Sequence, residues 1–483
     1  MPQKGADIFD QIKKLKKVFP EAVVDGCVDF DRLKELLGSA NESTEEKYGV
    51  FWVGKNEAGS LYGKSSSGKA LSYQEELSSD PGNTKNLFIE GDNLDALKLL
   101  RSEYAGRVRC IYIDPPYNTG NSFVYNDSFA MTAKESGEAE SSLGDLGERY
   151  TINRDSQNRF HARWLSMMYP RLMLARDLLE ESGVIFISID DGEQASLKLM
   201  CDELFGARNF LAQIVWERAF SPVNLKKHFS VSHDYILCYA KNKELAVCRG
   251  LPRNKAANSR YSNPDHDERG PWTSGDLSVG PAVESKVYEI TTPGGRKVLP
   301  PSGYCWRLDK ETFEQYVKEN RIWFGKDGNN VPRIKRFLSE VKKGITPMTI
   351  WKHEEVGHSQ DATKGLKKLF DGKAYFEYPK PVELVKRCIR LYAEEDSIVL
   401  DFFAGSGTTA QAVMELNAED GGSRQFILVQ LPERVNKRSI AYRDGYRTIC
   451  DIARERIRRS AEAIRKECPG ARFDGGFQAY KVK

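Results

Sequence analysis

No apolar run in the 483 residues approaches the ~18–20 residues that span a bilayer. The longest stretches, such as Gly183–Ile189, have the length of buried strands. Residues Met1–Pro20 are Lys-rich but lack an apolar core followed by a small-residue cleavage site, so they do not read as a secretory signal. A cytosolic chain without membrane association is expected. The nine cysteines, at 27, 110, 201, 238, 248, 305, 388, 450 and 468, form no Cys-x-x-Cys pair and have no His partner at zinc-ligand spacing. Reduced, mostly buried thiols are expected, and no metal site. The six histidines show no pattern, which makes His161 and His233 structural rather than catalytic residues. An excess of one charge is also missing: 72 Lys and Arg stand against 69 Asp and Glu. Taken whole, that balance gives no argument for an anionic partner.

The charge is unevenly placed, however. From Trp216 to Tyr375, 28 Lys and Arg face 19 Asp and Glu, a local net charge of +9 that leaves the rest of the chain at −6. At ~150 residues per domain, the length suggests about two to three domains. Residues Asp7–Leu37 carry helical spacings at Ile8, Ile12, Leu15 and Val18 and again at Phe30, Leu33, Leu36 and Leu37, followed by a Gly-, Ser- and Lys-rich stretch, Lys55–Asn83. From Asn86 strands alternate with helices. Strands are predicted at Leu87–Glu90, Val108–Ile113 and Val184–Ile189, and helices at Asn93–Leu100 and Phe160–Leu179, the latter kinked at Pro170. The alternation stops inside Trp216–Tyr375, where only Tyr235–Tyr239 reads as a buried strand. It resumes with a helix at Val382–Ala393, a strand at Ile398–Phe403, a helix from Thr408 and a strand at Phe426–Leu431. This pattern predicts an α/β fold, a doubly wound parallel sheet split by a long basic insertion. The expected segments are an N-terminal accessory region (1–85), the first part of the sheet domain (86–215), the insertion (216–375, with the strand near 234–240 belonging to the sheet) and the second part (376–483). A polar stretch from Phe129 to Asn158 reads either as a lid or as a tolerated surface loop.

Ligands bind outside the carboxyl ends of strands in such sheets, and two motifs fall there. The first is Asp401-Phe402-Phe403-Ala404-Gly405-Ser406-Gly407-Thr408-Thr409, a strand entering a Gly-rich turn and then a helix, where backbone N–H groups can approach a ligand. A Gly-x-Gly turn alone is as often a demand of the backbone as a binding site. The second, Ile113-Asp114-Pro115-Pro116-Tyr117-Asn118, is more telling: two prolines after an acid make a stiff corner that fixes a carboxylate and an aromatic ring. Gly59-Ser60-Leu61-Tyr62-Gly63-Lys64-Ser65 is one residue short of a phosphate-binding loop, and no helicase or nuclease constellation is legible.

Together the two motifs resemble those of S-adenosylmethionine-dependent DNA amino-methyltransferases. Asp114-Pro115-Pro116-Tyr117 matches that family's catalytic signature and Phe403-x-Gly405-x-Gly407 its cofactor loop. The order, catalytic motif first with a long insertion between, resembles the circularly permuted beta group. Softer stretches at Gly91-Asp92-Asn93, Arg163-Trp164, His233–Asn242 and Tyr378-Pro379-Lys380-Pro381 are similar to those of type III restriction-modification (Mod) subunits.

The resemblance implies a Rossmann-like methyltransferase fold with an inserted α+β target-recognition domain, in a bacterial or archaeal cytosol. It implies that Asp114 and the Pro115 carbonyl accept from an adenine amino group, with Pro116 shaping the corner and Tyr117 stacking on a flipped-out base. It places the cofactor's adenine beside Asp92 and Asn93. The methionine end then lies near Lys380, Asp401 and Phe403, Ala404, Gly405, Ser406, Gly407 and Thr408. The ribose comes to the end of the Phe426–Leu431 strand, where many relatives carry an acid and this chain has Gln430, with Glu433 three residues on; either serves. Asp92 reads equally as a helix cap, and Lys380 also as a solvated surface residue. The implied partners are double-stranded DNA, a second copy of the chain and a separate restriction subunit. The expected reaction is adenine-N6 methylation. Cytosine-N4 methylation, a stand-alone methyltransferase, a binding-only specificity subunit and, more weakly, RNA as substrate are the alternatives.

Overall fold

The computed structural model describes residues 15–24, 27–28, 32–33, 49–66, 68–119, 123–125, 150–152, 160–253, 258–341 and 344–483. The chain divides into two compact units, 1–51 and 52–483. In the first, the described residues include a short turn at Pro20–Ala22 and an antiparallel pair, Val23–Val24 with Cys27–Val28. The helical spacing at Ile8 and Ile12 and nearly all of the 129–158 stretch lie outside the described residues.

The second unit is built on a ten-stranded sheet. Its elements in chain order are α1 (Lys55–Gly63), β1 (Leu71–Tyr73), β2 (Leu87–Glu90), α2 (Asn93–Tyr104), β3 (Val108–Ile113), α3 (Phe160–Leu178), β4 (Leu179–Ile189), α4 (Gln194–Cys201), β5 (Phe210–Glu217) and β6 (His233–Ala240). After the insertion follow β7 (Ile350–Trp351), α5 (Ser359–Leu369), α6 (Val382–Tyr392), β8 (Ile398–Asp401), α7 (Thr408–Asp420), β9 (Gln425–Gln430), α8 (Ile449–Glu467) and β10 (Gln478–Val482). The strand order is β7-β5-β6-β4-β3-β8-β9-β2-β10-β1. All neighbours are parallel except β5–β6, β6–β4 and β10–β1. Strands β3 and β8 are buried along their whole length, which explains their unbroken apolar sequence. The carboxyl ends of β3, β8, β9 and β2 therefore open on one edge, where the order reverses. Because β6 runs the other way, its first residues arrive at that same edge.

Some boundaries differ from the sequence reading. The Gly59–Gly63 stretch lies inside α1, so it is no phosphate loop. Strand β8 ends at Asp401 because that carboxylate accepts from the Phe403 N–H, which turns the chain out of the ladder. Strand β4 begins at Leu179, its register slipping between the partners Val108 and Cys110. A Cβ at Gly183 there would stand 2.9 Å from the Val108 carbonyl oxygen, which demands glycine. Both β5 and β7 pair into the main sheet, and α5 packs Leu366 and Phe370 on Ala441 and Ile452. The stretch between Ala240 and Ile350 has its own three-stranded sheet and a separate core around Leu277, Trp306, Phe313 and Ile322. Most of its strands are two residues long, too short for a legible period. Among the described residues six cysteines are buried, Cys248 and Cys468 are exposed, and no helix is long and apolar enough to cross a membrane.

Candidate active site

Asp114-Pro115-Pro116-Tyr117 leaves β3 at its carboxyl end, held from below. The indole N–H of Trp164, fully buried in α3, donates to the Pro116 carbonyl at 2.7 Å. Asn118 adopts a left-handed conformation (φ 58°), and its amide donates to the buried Glu193 at 2.5 Å. His161 lies 2.7 Å from the same Glu193 oxygen, in keeping with a structural role. Trp164→Phe keeps the ring and removes the bond. We expect a stability loss of about 1 kcal/mol, read from the urea midpoint, and about tenfold slower turnover, because the corner's position sets the reacting geometry.

The Asp114 carboxylate receives Lys380 Nζ at 2.6 Å on both oxygens. The same ammonium sits 4.9 Å from the centre of the Tyr117 ring. Lys380 is thus paired within the site, its side chain 11% exposed, rather than solvated. The Tyr117 hydroxyl is buried with no hydrogen-bond partner among the described residues, and burial, then the neighbouring Asp114, holds it well above the usual phenol range. Asp234, the second residue of β6, also faces this site. It pairs with Arg218 at 3.0 Å, and burial raises its carboxyl to about 7. Sequence reasoning missed Asp234; the available signal was an acid at the mouth of the apolar run Tyr235–Ala240.

The glycine turn lies across the edge. Gly405 (φ 53°) and Gly407 (φ 82°) both take the left-handed conformation that favours glycine. The side chains around it mostly bond to groups within the protein. Asp401 accepts from the Phe403 N–H at 3.0 Å and from the Thr409 hydroxyl at 2.5 Å. The Gln430 carbonyl accepts from the Gly405 N–H at 2.7 Å, while its NH2 donates to the Leu431 carbonyl. The Ser406 and Thr408 hydroxyls both accept from Arg456 at 2.7 Å. The Asn93 NH2 donates to the Phe402 carbonyl at 2.8 Å, and its oxygen accepts from Arg171 at 2.5 Å. A turn carrying this many backbone polar groups needs partners inside the protein; Asp401, Gln430 and Asn93 supply three, while Arg456 ties down the hydroxyls of Ser406 and Thr408. Arg456, buried in α8, was also missed; its trace was a charged residue beside the apolar residues Ala453, Ile457 and Ala461. Asp92 caps α2 through the Leu94 and Asp95 N–H groups and lies 3.5 Å from Arg171.

Among the described residues Asp401 is bonded to neutral donors alone, and burial raises its pKa to about 7. The folded protein keeps a proton there that the unfolded chain releases near pH 4, so this group's contribution to stability falls as pH rises from about 4 to about 7. Asp401→Asn removes that component. The difference between wild type and variant in unfolding free energy should change by on the order of 2–3 kcal/mol between pH 5 and 8, checked by urea titration at both values.

Glu217, His353 and Glu354 form a group of three possible donor atoms within 4.8 Å, away from the spacings a sequence scan detects. His353 and Glu217 are paired to each other at 2.8 Å.

A carboxylate on a rigid corner, an aromatic ring beside it and a glycine turn meet at the switch point of an α/β sheet, where such folds bind their ligands. Residues 108–455 match the profile of the DNA methylase family, and the chain belongs to that family. It is 36% identical over 475 residues to the StyLTI Mod subunit, a type III restriction-modification enzyme of Salmonella typhimurium, covering 95% of this chain and 70% of that one. The EcoP15I Mod subunit of Escherichia coli is 33% identical over 518 residues (98% and 77%), and the type II methyltransferase M.KpnI of Klebsiella pneumoniae is 31% identical over 407 (77% and 87%).

Proposed function

We propose that the chain transfers a methyl group from S-adenosylmethionine to the N6 nitrogen of an adenine flipped out of duplex DNA, as the modification subunit of a type III restriction-modification system. The observation that carries this reading is the Asp114 carboxylate, fixed at the end of β3 beside Tyr117 and facing the glycine turn. An adenine amino nitrogen is a poor nucleophile because its lone pair is delocalised into the ring. The Asp114 carboxylate and the Pro115 carbonyl accept from its two N–H groups, drawing the lone pair out of conjugation and stabilising the positive charge that develops. Tyr117 stacks on the base. The proton leaves after transfer, so no histidine base is needed. Cytosine-N4 relatives more often carry Ser at the position of Asp114, which favours adenine.

The donor set fits the cofactor. When bound, S-adenosylmethionine supplies an electrophilic methyl group on a sulfonium. Asp92 offers a carboxylate at the end of β2. Glu433, partly exposed just past β9, and Gln430, whose NH2 donates to it at 3.3 Å, are the two groups offered to the ribose hydroxyls. Phe403, the backbone of Ala404, Gly405 and Gly407, and the Lys380 ammonium complete the pocket. The recognition surface comes from the basic stretch between Ala240 and Ile350, and double-stranded DNA is the partner it serves. A second copy and a separate restriction chain are the protein partners. Similarity to M.KpnI keeps a stand-alone methyltransferase as the second reading; affinity purification of the tagged chain from its host, with or without a co-purifying helicase-nuclease chain, separates the two.

The test is mass spectrometry of nucleosides from the DNA of cells with and without the gene. N6-methyladenine that depends on the gene is expected. N4-methylcytosine instead, or no modified base, overturns the reading.

A further inference from the structure

Between β5 and β6 the chain forms a loop whose composition and position the catalytic reading does not use. Its stem is in the active site: Arg218 pairs with Asp234, and the Ala219 N–H closes the base of the loop on the Ser232 carbonyl at 3.1 Å. Asp234 is near enough to Asp114 and Lys380 to feel the charge of both. From this stem the loop extends outward and presents large apolar side chains to solvent, Leu225 at 96% exposure and Phe229 at 88%. Val223, half exposed, stands beside them. Lys226 and Lys227 lie between Leu225 and Phe229, and no acid occurs from Ala219 to Ser232. The loop holds a shape of its own: the Val223 N–H donates to the Ser230 hydroxyl at 2.9 Å, the Lys226 N–H to the Val223 carbonyl at 3.0 Å, and Phe220 stacks on His353 at 4.9 Å.

Exposed Leu and Phe are unfavourable in water unless something covers them. A flipped adenine leaves a gap in the base stack that an apolar side chain fills, with lysines alongside to meet the phosphates. We infer that the 219–232 loop is the wedge that enters the duplex at the target base pair, with Leu225 and Phe229 filling the gap left by the adenine held at Asp114 and Tyr117. This rests on the methyltransferase reading above and adds to it the element that opens the duplex.

The test compares two oligonucleotide duplexes bearing the target sequence mapped by methylome sequencing, one with the adenine paired to thymine and one with it opposite an abasic position. With the double variant Leu225→Ala/Phe229→Ala, methylation of the paired duplex should fall about tenfold or more, while the abasic duplex, which needs no unpairing, should stay within about twofold of wild type. Phe229→Trp should restore most of the loss. With 2-aminopurine at the target, wild type should raise its fluorescence and the double variant should not. Equal losses on both duplexes, no loss on either, or a changed oligomeric state with an unchanged ratio between them overturns the wedge, the last making the loop a contact between copies. Wild type failing on both duplexes sinks the methyltransferase reading itself, independently of the variants.

Discussion

Asp114→Asn is expected to leave a protein that folds and binds S-adenosylmethionine but transfers no detectable methyl to DNA. The substitution keeps the volume and one acceptor oxygen. It removes the negative charge that stabilises the amino group as it becomes positive, and it places an NH2 donor where the substrate also donates. Loss of one preorganised electrostatic partner lowers turnover by about 10²–10³-fold, and the added donor clash takes it further. Single-turnover transfer of labelled methyl checks the rate, and calorimetry checks that cofactor affinity stays within about threefold. The substitution also breaks the Lys380 ion pair with Asp114, so the melting temperature must be read alongside. A variant that methylates at the wild-type rate would remove Asp114 from the chemistry.

Arg456→Met should show the opposite division: binding fails and chemistry persists. Arg456 is fully buried, and burial lowers its pKa to about 10. Its guanidinium donates to Ser406 and Thr408, on the two sides of Gly407, and to Gln411 at 3.0 Å. Methionine fills much of the space but donates nothing, so three polar groups under the turn lose their partner. Each buried group left unpaired costs about 1–3 kcal/mol, offset in part because a buried charge is removed and the hydroxyls can turn to other acceptors; a net loss of about 2–4 kcal/mol is expected. Cofactor affinity should drop about tenfold or more as the turn loosens, while turnover at saturating cofactor stays within about threefold. Denaturant titration and calorimetry read the two effects, and unchanged cofactor affinity would show that the turn keeps its shape without the arginine.

The difference between these two residues shows what the sequence could reveal. The Asp114 corner and the Gly405–Gly407 turn were legible because their backbones need residue types rare elsewhere, paired prolines after an acid and glycines in the left-handed region. The direction of the side chains between them was not. The Ser406 and Thr408 hydroxyls turn toward Arg456 on a helix about fifty residues downstream, and the Gln430 side-chain carbonyl toward a backbone N–H it can reach only once β9 lies beside β8. Asp234 was hidden for a related reason: it reaches the site only because β6 runs antiparallel to its neighbours. The sheet's extent was half visible. Ile214 and Trp216 already alternate as a strand does, yet β5 straddles the point where the charge balance changes, and composition drew the boundary through it.

Lys380 gives the resting enzyme a placeholder. Its ammonium occupies both oxygens of Asp114 and lies against the Tyr117 ring, the two surfaces that the proposed mechanism gives to an incoming adenine. Adenine therefore competes for its seat rather than entering an empty one, and its apparent affinity is reduced by the fraction of molecules in which the lysine stays put. Free adenine or a mononucleotide brings only stacking and two hydrogen bonds to that competition. A base still attached to its strand brings the phosphate contacts of the whole site, so on the proposed mechanism selectivity for polymer over monomer is built into the ion pair of Asp114 with Lys380.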